Sequence, residues 1–253
     1  MRSVRLALLG TLLTGGALAQ SPSSPASPPA SAQTQAPADD VVVEEVWVSV
    51  AEVPADYFTR AQSRFSRDRE AAAKDLRKGA AVMELEAKHA KQASKAELEK
   101  AASEVRTLAR GVEQGTVRSA RELQKPLARA AQALAHDHQL RAEEAWSAKE
   151  EKRAGHELRA TAHYLEHGAR WTGKESERAV KATVRDTRKL AGDLIEGVGF
   201  VPKEVGDGIA LAGKQVERLG QWVKPSSAPA QGIGGSGTPS EPPPPTEKPE
   251  ETR

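Results

Sequence analysis

Small apolar side chains recur at steps of three and four residues over most of this chain. Phe58, Ala61, Phe65, Ala72, Leu76, Ala80, Met83, Ala87 and Ala90 form one such stripe, and Leu98, Ala101, Val105, Leu108 and Val112 resume it. On a helix of 3.6 residues per turn this spacing puts every member on one face, and it excludes a strand pattern. Only 4% of the residues are aromatic. A core of Ala, Leu and Val must therefore gather its roughly 25 cal/mol per Å² from many shallow contacts along helices. An all-α fold, an elongated antiparallel helical bundle over 54–224, is the expectation.

Punctuation divides the stripe. Arg67-Asp68 can turn the chain, and Ser94 with Glu97 reads as a capping box that starts a helix. Gly111 and Gly115 break the pattern, and Ser119 with Glu122 is a second box. Leu123, Leu127, Ala130 and Leu134 continue a stripe through Pro126, which is expected to kink or restart its helix. Asp137 is expected to cap a helix over 138–170, and Thr172 with Glu175 to open the next. Around Ala61, Phe65, Ala73 and Ala80 the stretch 56–90 resembles a single tetratricopeptide-type helical hairpin, without that repeat's second large aromatic and closing proline, and no second copy follows.

The ends differ from the middle. Residues 1–19 carry Arg2 and Arg5, an apolar run Leu6–Leu13 and Ala17-Leu18-Ala19, the order of a secretory signal. Periplasmic or secreted localisation follows as an expectation. Residues 20–40 and 225–253 are rich in Pro, Ser, Gly and Ala and are expected to be disordered tethers. Between leader and helices, VVVEEVWVSV at 41–50 has β character. With no second strand to pair with, it is expected as an extended segment over 41–53 that lies on the bundle or docks on another chain.

Charge and composition narrow the function. Without the leader's two arginines the chain has 35 basic and 35 acidic side chains, which argues against nucleic acid. No cysteine is present, so neither a disulfide nor a thiol nucleophile is available. No phosphate loop, dinucleotide fingerprint or serine elbow occurs, and no enzymatic activity is expected.

Two features remain. The first is HELRATAHYLEHGARW, 156–171, with three of the six histidines. Taking Leu158 as zero at about 100° per residue, Ala162, Leu165 and Ala169 share its side, whereas His156, His163 and His167 lie at about 140–180°. Trp146, Tyr164 and Trp171 follow at about 220–240°. Two faces unlike a solvated one imply a helix sandwiched between neighbours. His163 and His167, one turn apart, can share a zinc or copper ion, but His156 is about 10.5 Å from His163 along the axis and cannot join them. Packing on the second face and plain exposure are the competing explanations.

The second feature is a heptad of glycines, Gly192, Gly199, Gly206, Gly213 and Gly220. Each follows a small or apolar residue (Ala191, Val198, Val205, Ala212, Leu219), and three residues after each comes Ile195, Pro202, Ile209, Val216 or Val223. That is a 3-4 seam with glycine on its flank. The expectation is a hairpin broken near Gly199, restarted with Pro202 as first residue, whose glycines admit a neighbouring backbone. Ordering on a partner or a membrane surface is the alternative.

The expected function is therefore a non-enzymatic exported scaffold or interaction protein of the cell envelope. Its surface would comprise the glycine seam with Trp146, Tyr164 and Trp171, and its partner would be another envelope protein or a second copy. Metal binding or buffering through His163 and His167 is one alternative. Peripheral association of an amphipathic helix with a lipid surface is another.

Overall fold

The computed structural model describes residues 39–224, as a backbone path for 39–50 and with side chains from Ala51 onward. The leader at 1–19, the 225–253 tail and all but the last two residues of the 20–40 linker lie outside the described residues. Seven helices and no strand are present among them: α1 (Asp39–Arg64), α2 (Arg69–His89), α3 (Gln92–Glu113), α4 (Ala120–Ser147), α5 (Glu151–Thr172), α6 (Lys174–Glu196) and α7 (Pro202–Val223). None of them is long and apolar enough to cross a membrane.

Helices α4–α7 close a ring, each packing on the next and α7 returning to α4. They alternate in direction. Gly155, early in α5, faces Ala191 and Leu194, late in α6, and Leu190 of α6 meets Gly208, early in α7. Gln139 and Gln132 of α4 lie against Gly213 and Gly220 of α7 in reversed order. The short connections left no other arrangement for sequential neighbours. The α2–α3 hairpin docks through α3 on α4. Helix α1 packs on α2, where Phe58 lies against Gly79, and on α5, where the Phe58 ring meets Trp171 edge-on with centroids 6.1 Å apart.

Several sequence expectations are corrected. The stretch 41–50 is not extended: it is the helical first half of α1. Its Val residues cost a helix less than about 1 kcal/mol each, whereas an isolated strand would leave a row of backbone donors without partners. Ser94 does not cap α3, which starts at Gln92 behind Lys91; its buried hydroxyl reaches across to α4 instead. Helix α4 runs unbroken through Pro126 and Asp137 to Ser147, so Asp137 is a buried mid-helix residue and Trp146 belongs to α4 rather than to the histidine helix. The real break follows at Ala148–Glu150, with Lys149 at φ 62°. Thr172 does not open α6 either: its hydroxyl donates to the Gly168 carbonyl, and Gly173 at φ 130° makes the turn.

Other signals correspond to what forms. The turn after α1 ends in Asp68, whose carboxylate accepts from the Ala71 N–H at 2.9 Å. The helix pair expected within 56–90 is therefore present, as α1 and α2. Ser119 and Glu122 make the capping box, with the Ser119 N–H donating to Glu122 Oε1 at 2.9 Å. Pro202 is the first residue of α7.

The interior holds two apolar clusters. Leu134, Leu165, Val184 and Val216 belong to one, together with most of α1–α3. Ala142, Leu158, Ala191 and Ala212 belong to the other. Where one gives way to the other, each helix of the ring buries polar groups: Asp137, His138 and Gln139 on α4, Glu157 and Thr161 on α5, Thr187 on α6 and Gln215 on α7.

Candidate functional site

The buried polar layer is held by specific bonds. Ser94 Oγ donates to Asp137 Oδ1 at 2.6 Å, and Arg141 Nη2 sits 2.6 Å from Asp137 Oδ2 and 2.8 Å from Glu86 Oε2. Burial works against the charged guanidinium, but the fields of Asp137, Glu86 and Glu157 outweigh it and hold Arg141 above its usual value. Next to this group His138 Nδ1 and Glu157 Oε2 are 2.7 Å apart, with side chains 2% and 3% exposed. A hydrogen-bonded pair so deep stabilises little against an apolar pair of the same shape, yet removing one half leaves the other buried without that partner, which is costly. The layer therefore sets the register of α3, α4 and α5.

From His138 a ladder of rings runs along α5 toward α1. His138 stacks on Tyr164 at 5.6 Å and 8°, and the Tyr164 ring meets His163 edge-on at 5.4 Å. His163 and His167 are 4.6 Å apart at 41°, and His167 lies 5.4 Å from Trp171. Two bonds tie the ladder to α1: the Tyr164 hydroxyl donates to the Ala51 carbonyl, and Trp171 Nε1 to Gln62 Oε1 at 3.1 Å. Burial, with the carboxylates of Glu86, Glu52 and Asp56 nearby, pushes the Tyr164 phenol well above its usual value, so it remains a donor. Burial also pulls the His163 imidazole down to about 4, helped by the Arg188 guanidinium. His167 is likewise pulled down to about 4 by burial, then by His163 and Arg170. Both rings are neutral near pH 7.

His163 and His167 thus lie on the sandwiched second face of α5, against α1. Among the described residues no three His, Asp or Glu side chains converge as a metal cage. Glu166, between the two histidines in sequence, is engaged by Arg188 and lies 3.6 Å from Arg170.

The aromatic surface expected from the sequence is not a surface. Tyr164 is fully buried, Trp171 is 4% exposed, and Trp146 is half-buried with its ring 6.1 Å from Phe200. The glycine row is not a close-approach face either. Among the described residues a methyl group on Gly192 or Gly206 would meet nothing within 4 Å, Gly199 lies in the turn at φ 76°, and Gly213 and Gly220 face the side chains of Gln139 and Gln132. The apolar seam beside the row does pack: Ala191, Ile195, Val205, Ile209, Ala212, Val216, Leu219 and Val223 are buried. Close approach occurs instead on α5, where a methyl on Gly155 would stand 2.8 Å from the Ala191 carbonyl oxygen and one on Gly168 would stand 2.6 Å from Leu219.

One exposed feature was legible in the sequence but not singled out. Lys174, Arg178, Lys181, Arg185 and Arg188 follow one another on α6 at steps of four, three, four and three. At about 100° and 1.5 Å per residue they occupy an arc of about 80° over about 21 Å. Arg188 is taken by Glu166 and Arg185 by its neighbour Asp186. Among the described residues Lys174, Arg178 and Lys181 form no ion pair.

No family model matches this chain, and neither a curated protein nor a solved structure matches it.

Proposed function

We propose that this chain is a non-enzymatic interaction protein of the cell envelope, with the α4–α7 ring as scaffold and the cationic face of α6 as the surface that holds an acidic partner. The observation that carries the proposal is the 4-3-4-3 row of five cations on one face of α6, three of them without an ion pair, in a chain whose basic and acidic side chains are nearly equal in number overall. Some cations elsewhere pair across helices, as in Arg77 with Glu113, Arg106 with Glu84 and Arg129 with Glu104, and what marks the α6 row is its regular spacing on one face. A row at a 3.5-residue period matches the register in which a second helix presents its own side chains. Carboxylates at the same spacing on a partner helix would meet it along about four turns.

The test uses a synthetic helical peptide with glutamates at alternating three- and four-residue steps, and vesicles containing anionic lipid as a second probe. Binding of the peptide that weakens steeply with salt, and that is lost in Lys174→Glu, Arg178→Glu, Lys181→Glu, is the expected result. Binding to vesicles alone would replace the partner with a lipid surface. Binding to neither at low salt removes the proposal.

A further inference from the structure

We propose that the chain's own C-terminal segment docks on the cationic face of α6 through Glu241, Glu247, Glu250 and Glu251, and competes there with the acidic partner. The inference rests on that face being a binding surface, as proposed above, and names what regulates it.

The register of the last two helices brings the segment to the right place. Leu190 of α6 meets Gly208 of the antiparallel α7. Lys174 lies sixteen residues before Leu190, and Lys224 sixteen after Gly208. At the same rise per residue on both helices, the described chain therefore ends level with the first cation of the row. Residues 225–253, which lie outside the described residues, continue from that point.

Their sequence suits the face in charge and in length. The first sixteen, 225–240, carry no charge and are rich in Gly, Ser and Pro. The remainder, 241–253, has four glutamates against Lys248 and Arg253. A Gly/Ser-rich linker of sixteen residues has a root-mean-square span of about 20–24 Å, and the row is about 21 Å long. A linker matched to its span holds its load at a millimolar effective concentration. An acidic contact too weak to form between separate molecules is then populated within one chain.

The face offers both unpaired charge and room. Lys174, Arg178 and Lys181 follow one another within about 10.5 Å, and among the described residues none of them forms an ion pair. A groove of about 970 Å³ accompanies the row, lined by its five cations and by Val180 and Val184 between them. Glu177 lines the same groove and offsets one of the three free cations. The four prolines at 242–245 disfavour a helix, so the segment would lie along this groove rather than match the row as a second helix.

The test uses the full-length chain at low salt. Carbodiimide joins a carboxylate to a lysine amine without a spacer, so only groups in contact couple, and mass spectrometry of the monomer identifies the joined peptides. The expected result is coupling of Glu247, Glu250 or Glu251 to Lys174 or Lys181 in preference to the lysines of α2, α3 and α4, fading at high salt. In parallel, Glu247→Gln, Glu250→Gln, Glu251→Gln, a triple variant altered outside α1–α7, is titrated with the glutamate peptide. It should bind at least about twofold more tightly than wild type, the gain expected when a face occupied half the time is freed. Coupling spread evenly over the lysines, or found between two copies instead of within one, overturns the proposal. Equal peptide binding by variant and wild type also overturns it, while leaving the α6 surface standing. Binding by neither removes the surface itself, and this inference with it.

Discussion

Gly155 and Gly192 sit on consecutive helices, and their substitution by alanine should act in opposite directions. An added methyl on Gly155 would lie 2.8 Å from the Ala191 carbonyl oxygen and 3.0 Å from Leu194 Cβ, backbone and near-backbone atoms that cannot swing away. Gly155→Ala should destabilise the protein by about 1–3 kcal/mol, the usual cost of overfilling a packed contact. On Gly192 and Gly206 the same methyl meets no described residue within 4 Å. Gly192→Ala and Gly206→Ala should each stabilise by about 0.5–1 kcal/mol through the restricted unfolded chain and better helix propensity. Urea midpoints at constant slope measure all three. A Gly192→Ala protein less stable than wild type would mean that a packed contact occupies the space beside Gly192. The seven-residue period of the glycines was plain in the sequence. What a missing side chain would touch was not, because that depends on which helix lies opposite.

Helices α3 and α4 are clasped by one titrating pair. His136 Nδ1 and Glu97 Oε2 are 2.7 Å apart and partly exposed. The hydrogen bond to Glu97 raises His136, outweighing burial, and the bond from His136 lowers Glu97, with Gln132 and Lys100 assisting. A raised histidine contributes stability that is complete below its unfolded value, about 6.5, and is lost as pH rises through the folded value. A lowered carboxylate contributes stability that is complete above its unfolded value, about 4.3, and is lost as pH falls through the folded one. The clasp is therefore strongest between about pH 4.3 and 6.5. Glu97→Gln should lower the urea midpoint clearly near pH 5.5 and much less near pH 8.5, by about the reference values above. An equal loss at both would assign the effect to packing alone. The sequence showed Glu97 only as half of a capping box. Its actual partner lies on the next helix, and no spacing rule along one chain pairs residues across such a connection.

The ring α4–α7 is stabilised by two apolar clusters and specified by the polar layer between them. Replacing His138 leaves the buried Glu157 carboxyl without its 2.7 Å partner, which costs about 1–3 kcal/mol, whereas replacing both with apolar groups of the same shape can be nearly neutral. His138→Leu should therefore destabilise strongly, and adding Glu157→Leu should recover much of the loss, as read by denaturant unfolding of both variants and of Glu157→Leu in a double-mutant cycle. A double variant no better than His138→Leu would show that the stacking of His138 on Tyr164, not its hydrogen bond to Glu157, is what the layer provides. The recovered protein should show broader amide spectra, because apolar layers of similar size can slide past one another where a hydrogen-bonded pair cannot.

Helical class, the cap at Ser119, the helix start at Pro202, the turn at Asp68 and the heptad seam of α6 and α7 were all readable along the chain, since each depends on neighbours within a turn or two. The sandwiched character of the histidine helix was readable too, from two faces that a solvated helix would not carry. The course of α4 through Asp137, the helical state of 41–50 and the burial of Tyr164 and Trp171 were not. Local rules favoured a cap, a strand and an exposed aromatic face at those places. Contacts between residues as far apart as Ala51 and Tyr164 overrode them, and such contacts exist only once the helices have been brought together.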